Sequence, residues 1–346
     1  MPSECLFRLR TWRWRLPASL GLIMSLTTPT SSEPLPVVIS WRQGESAASY
    51  LLRATSRNQL SLAWLRHAAG VPEGGALRAS DSPLLAWLTS TDKHRLMDAF
   101  AAPGRWNGRP SVVMNGQTIL RSTAIRSTLK PQLCPLCVRE TGYCQLIWEF
   151  AHITVCPVHH VNMVDFCAQC GRSLVWDRPA IDMCRCMRLI GLSNSQNVWA
   201  PESLLWQYNT YLANRLAGEG IWKWPGVPAW LDFLSLDGVF QIVRAFGARP
   251  GPFAKPMDHS TRKLTTARSQ QICIRGLERL ARLELDRDLS SEVQEGELVS
   301  LAKRSFRAND TDVATWLLSR LFGSGGVVKA FTPSLMAINP RQLDLF

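Results

Sequence analysis

The stretch "CPLCVRETGYCQLIWEFAHITVCPVHH", Cys134 to His160, is followed by "CAQC" from Cys167 to Cys170 and "CRC" from Cys184 to Cys186. Eight of the chain's ten cysteines fall in this one window. Two chemistries concentrate cysteine in this way. Disulfide frameworks staple small secreted domains that lack a core, but this chain has 346 residues and is 46% hydrophobic, enough for two or three ordinary domains. Metal is the better reading. Cys134-Pro-Leu-Cys137 and Cys156-Pro-Val-His159 form two ligand pairs, and Cys167-Ala-Gln-Cys170 and Cys184-Arg-Cys186 form two more. Zinc takes four N or S ligands in a tetrahedron, and a C-x-x-C turn presents two thiolates to one ion. The eight residues therefore predict two closed, structural zinc sites. Sequential pairing is simplest, although an interleaved cross-brace would use the same ligands. Gly171, directly after Cys170, can take the positive φ that closes the turn on the sulfur. Cys144, His152 and His160 are left over as bystanders, with His160 the substitute should His159 point away. A catalytic zinc would keep a water and a nearby general base, and no H-E-x-x-H motif occurs.

The compartment follows from the ends and the charge. "FRLRTWRWRLPASLGLIMSLTTPTSS" opens basic and continues apolar, but Pro17 and Gly21 break the apolar run and no A-x-A site follows. Residues 1–33 are expected to be a disordered or wrongly started extension, with folding beginning near Pro34. No stretch reaches about 18 consecutive apolar residues, so no membrane span is expected. The formal net charge is +12, and 32 of the 39 basic residues are Arg. Arginine's planar fork suits phosphate oxygens and base edges, which points to a nucleic-acid partner and a cytoplasmic, nucleoid-associated protein.

Between Pro34 and the cysteines the chain reads as short, punctuated helices. Ala48, Leu51, Leu52 and Thr55 share one face, with Arg53 and Arg57 on another. Ser61 caps a helix over 62–69 that Gly70 ends. Ser82-Pro83 opens "LLAWL", and Thr91 caps "DKHRLMDAF". The expected fold is mainly α: a helix-turn-helix-like domain over 34–122, a two-zinc knuckle module over 123–192, and a helical C-terminal domain over 193–346. A plain helical bundle for protein contacts fits the first of these as well.

"LPVVISWRQGESAASYLLRATSRNQLS" resembles the opening signature of the TniQ/TnsD family of transposition proteins, with a proline-leading stretch, Gly-Glu-Ser, an Arg-containing helix and an Asn. The zinc region is similar too, with CPxC, Trp148, CPxH, CxxCG and a final CxC in that order. Together these cover about Pro34 to Cys186. The resemblance implies a protein that directs where a transposon inserts. Such a protein binds DNA itself or docks on a nucleic-acid-bound guide or specificity complex, and recruits the transposon's AAA+ ATPase; a homodimer is also compatible. The extension before Pro34 and Ala47-Ala48 after Gly-Glu-Ser depart from the family pattern. The tail is short beside members that read a long target site, which favours specificity supplied by a partner.

The tail itself reads as helices over "PESLLWQYNTYLANRLAG" and "PAWLDFLSLDGVFQIVRAFG". A basic stretch from Lys255 to Arg282 carries Lys255, Arg262, Lys263, Arg268, Arg275, Arg279 and Arg282, the candidates for phosphate contact. "GSGGVVKA" lacks the spacing of a phosphate-binding loop, and no nucleophile elbow or paired-carboxylate motif stands out, so no enzyme is expected. The competing class is a zinc-containing, DNA-binding transcription regulator.

Overall fold

The computed structural model describes residues 33–72, 75–106, 109–119, 124–126, 130–191, 198–218, 227–252, 254–255, 264–283, 289–305 and 307–323. The described residues from Pro34 onward belong to one compact unit. The reading of 1–32 as an extension lies outside the described residues.

The chain is mainly α. Helix α1 (Ala47–Arg57) starts at Ser46, whose side chain accepts from Ser49 N, and its apolar face buries Tyr50, Leu51 and Leu52. Trp41 stacks on Tyr50 with 4.0 Å between ring centroids, closing the strap that precedes the helix. Helix α2 (Leu62–Ala68) is capped by Ser61, and Gly70 follows with φ +68°. In α3 (Ser82–Leu88) Ser82 is the first helical residue rather than the cap. Asp92, not Thr91, caps α4 (Lys93–Asp98), accepting from Arg95 N at 2.7 Å. The Thr91 hydroxyl instead accepts from Trp41 Nε1 at 2.6 Å.

A three-stranded antiparallel meander then departs from the helical expectation: β1 (Ala102–Trp106), β2 (Arg109–Met114) and β3 (Gln117–Ile119), in that order. Met114 pairs with Gln117 across Asn115-Gly116, whose φ values are +47° and +73°. Positive φ at both central residues is what a tight two-residue hairpin loop requires, and Asn-Gly supplies it at least cost. Met114 and Ile119 of the meander are fully buried.

After the cysteine-rich segment come α6 (Leu204–Ala217), α7 (Leu236–Gly247), α8 (Thr266–Arg282), α9 (Glu295–Arg304) and α10 (Ala308–Phe322), with α5 (Pro135–Thr141) inside the segment itself. Every residue of α7 is buried, as a helix at the centre of a bundle must be. It approaches α8 through Gly247 and Gly276: a Cβ on Gly247 would collide with the Ile272 carbonyl, and one on Gly276 with that of Val243. No described helix is long and apolar enough to cross a membrane.

Candidate metal centres

The eight predicted ligands gather into two tetrads, Cys134, Cys137, Cys156 and His159 in one, Cys167, Cys170, Cys184 and Cys186 in the other, with all ligand atoms of each within 4.8 Å. The pairing is sequential, not interleaved. Cys134 is the N-cap of α5 and Pro135 its first residue, so the helix start itself brings the Cys137 amide to 3.5 Å from Cys134 Sγ. Opposite it, a turn places the His159 amide 3.3 Å from Cys156 Sγ.

Distances identify what these groups can hold. Metal–ligand bonds of about 2.3 Å to sulfur and 2.0–2.1 Å to nitrogen give tetrahedral edges of about 3.8 Å between sulfurs and about 3.6 Å from sulfur to nitrogen. His159 Nδ1 lies 3.6 Å from Cys134 Sγ, 3.2 Å from Cys137 Sγ and 3.6 Å from Cys156 Sγ, and Cys137 and Cys156 are 3.5 Å apart. In the second tetrad Cys167–Cys186 and Cys170–Cys184 are each 3.8 Å. A disulfide would need about 2.05 Å. Both groups could hold a metal ion, and their donor chemistry suits zinc.

The electrostatics of both groups suit such an ion. In the first tetrad, hydrogen bonds from Cys134 and then Cys137 pull the Cys156 thiol down to about 2, while Cys137 is pushed far up by its interactions with Cys134 and Cys156. Three thiolates cannot coexist there without a cation to neutralise them. In the second, burial pushes Cys184 up to about 12; burial also raises Cys167, but hydrogen bonds from the Cys170 and Gln169 amides and from Cys184 and Cys186 together take it down to about 7.

Outside the first tetrad, Glu140 Oε1 lies 3.0 Å from His159 Nε2, the carboxylate partner that fixes a ligating imidazole's tautomer. This partner is legible one helical turn after Cys137, once His159 is known to face it. Gly171 takes φ +67° and donates to the Cys167 carbonyl at 2.8 Å. His160 does the same after the other turn, with φ +57° and a 2.9 Å bond to the Cys156 carbonyl. Its ring packs on Trp206, away from the ligands. His152 Nδ1 meets Tyr208 OH at 2.7 Å, and Cys144 is buried beside Arg178. None of the three belongs to a tetrad.

The Gly-Glu-Ser signature proves to be the joint between the N-terminal helices and the cysteine-rich segment. Gly44, at φ +69°, accepts at its carbonyl from Leu146 N at 2.8 Å, and Ser46 N donates to the Cys144 carbonyl at 3.0 Å. The Glu45 side chain is fully buried and accepts from Arg53 Nε at 2.7 Å, Arg53 Nη2 at 2.6 Å, Ser49 Oγ at 2.8 Å and Arg42 N at 3.2 Å. Sequence reasoning places Arg53 on a helix face but gives no sign of this buried bidentate pair.

Residues 36–163 match the TniQ family model. This stretch is therefore similar to a TniQ domain. The matched segment runs from the strap before α1 through both halves of the first tetrad; the second tetrad lies beyond it. No curated protein matches the chain.

The basic stretch divides. Lys255 and Arg282 are exposed and Arg268 is half-buried, while Arg262 and Lys263 lie outside the described residues. Arg275 donates to the Gly247 carbonyl at 3.0 Å. Arg279 corrects the sequence reading: only 4% exposed, it pairs with Glu292 at 2.6 Å and donates to the carbonyls of Phe246 and Arg249 at 2.6 and 2.8 Å. Its guanidinium ties the ends of α7 and α8 to the following loop and is not presented to phosphate.

Proposed function

We propose that this TniQ-domain protein is a transposition target-selection adaptor: it contacts DNA or a nucleic-acid-bound specificity complex and recruits the transposon's AAA+ ATPase. The TniQ domain over 36–163 carries the reading. Supporting it, the two tetrads are closed by four ligands each, which suits two structural zinc ions and leaves no open position for a reacting group. The +12 charge, dominated by arginine, favours nucleic acid in the assembly. Helices α1 and α2, joined by the short turn 58–61, are the pair to which the helix-turn-helix reading applies.

The decisive experiment is reconstitution. The purified full chain is mixed with the AAA+ ATPase encoded beside its gene, in the presence of ATP and duplex DNA, and complexes are resolved by size-exclusion chromatography. Stable co-elution, and loss of targeted insertion in cells lacking the protein, is the expected result. Normal targeted insertion without the protein overturns the proposal.

A further inference from the structure

An open groove of about 1340 Å³ runs between α1, the strap before it, the C-terminal end of α5 and the loop around Ala180–Asp182. Four arginines line it: Arg42, Arg53, Arg57 and Arg139. Arg53 is held by Glu45, which leaves that carboxylate buried and neutralised within the wall. Arg42, Arg57 and Arg139 are exposed, and their guanidinium groups have no hydrogen-bond or ion-pair partner among the described residues. Asp182 is the one acidic residue on the lining. Arg57 ends α1 and Arg139 lies in the last turn of α5, so two separate helices aim cations across one concavity.

Cations left unpaired around a concave surface focus positive potential there and raise the local concentration of anions. The groove is open along its length and mostly polar in its walls, which fits an extended polyanion better than a compact ligand. We propose that this groove binds the sugar–phosphate backbone of a nucleic acid, with Arg42, Arg57 and Arg139 as its phosphate contacts. The inference rests on the reading of the chain as a nucleic-acid-contacting adaptor. It moves the contact from the tail, where Arg279 and Arg275 are engaged internally, to the seam between the N-terminal helices and the metal-binding segment.

The test is fluorescence anisotropy of the full chain, zinc-loaded, with a duplex of random sequence over a salt series. Each phosphate contact contributes about 0.9 to the slope of log affinity against log salt. Joint replacement Arg42→Gln, Arg57→Gln and Arg139→Gln should lower that slope by about 2.7 and weaken binding by roughly tenfold or more at low salt. Because all three side chains are exposed and unpaired, melting temperature and zinc content should not move. In the opposite direction, Asp182→Asn should tighten binding, a gain that misfolding cannot mimic. Affinity and slope unchanged in the triple variant overturn the groove, as does capture of a Glu-rich peptide there while duplex binding is unaffected. If the unaltered chain binds neither duplex nor single strand, the groove proposal fails while ATPase recruitment stands or falls by its own assay.

Discussion

Replacing Cys170 by Ser removes one thiolate from the second tetrad, and the surrounding chain has little else to hold it. Residues 166–190 contain turns and isolated bridges, with no helix or strand. At about 1 kcal/mol of backbone entropy per residue, fixing them costs roughly 25 kcal/mol. Their buried aliphatic and aromatic side chains are Leu174, Trp176, Ile181 and Ile190, which at about 2 kcal/mol each offset roughly 8 kcal/mol. Backbone hydrogen bonds such as Cys184 N to Arg188 O and Ile190 N to Asp182 O, 2.9 and 2.7 Å, contribute about 0.5 kcal/mol apiece and a few kcal/mol together. The shortfall of about 13 kcal/mol lies within the roughly 10–16 kcal/mol a structural zinc supplies. Cys170→Ser should therefore leave about one zinc per chain by elemental analysis. Amide exchange should rise at least about a hundredfold across 166–190, the equivalent of about 2.7 kcal/mol, while α6, α7 and α8 keep their protection. The first tetrad is embedded among fully buried Phe150, Ile153 and Val155, so Cys137→Ser should lower the global melting temperature instead. Native protection over 166–190 in Cys170→Ser, with one zinc gone, would refute the reasoning.

Three further outcomes are expected. Arg53→Met leaves the fully buried Glu45 carboxylate without its cation and should cost about 3 kcal/mol, read by urea unfolding. Gly276→Ala forces a methyl into the Val243 carbonyl where α7 and α8 meet; it should destabilise by about 1–3 kcal/mol, whereas alanine at exposed positions of α8 should be near neutral. Burial raises the Glu149 carboxyl to about 8 against the Ala101 amide, which lowers it. A carboxyl that holds its proton more tightly when folded contributes stability below about pH 4.5 that is lost as pH rises to about 8. Because Glu149 keeps partial surface access, the loss should be about 1–2 kcal/mol, and Glu149→Gln should flatten the pH dependence of melting between pH 5 and 9.

What the sequence made legible was whatever depends on short-range spacing. Ligand pairs, the helix cap at Ser61 and the turn at Gly171 are each decided within a few residues. The meander shows how a local signal can be outweighed: Asn115-Gly116 between valines and isoleucine is a hairpin mark, but the helical punctuation on both sides dominates the pattern around it. Arg279 fails for a different reason. Its charge places it with the other basic residues of α8, yet it lies on the helix face that packs, and the carbonyls it satisfies come from Phe246, Arg249 and Glu292, far away in sequence. Glu45 is likewise opaque, since the residues on either side of it, Gly44 and Ser46, bond to Leu146 and Cys144 a hundred residues on.

These long-range bonds have a common direction. On one side, Gly44 and Ser46 tie α1 to the cysteine-rich segment. On the other, Asn209 of α6 accepts from Val155 N at 2.9 Å and also from Thr154 N, beside the first tetrad. Asp165 receives the Thr266 amide at the start of α8 at 2.8 Å and Arg126 at 2.9 Å, while Gln132 accepts from the Thr266 hydroxyl at 2.8 Å. Asn162 takes both Trp199 Nε1 and Gln270 Nε2. The metal-binding segment is thus the part through which the N-terminal and C-terminal helices are positioned relative to each other. An ion that fixes a turn to within tenths of an ångström fixes these contacts too, because each hydrogen bond weakens steeply once its geometry is lost. Ions held in these two closed, four-ligand groups would therefore set the distance and orientation between the N-terminal and C-terminal helices.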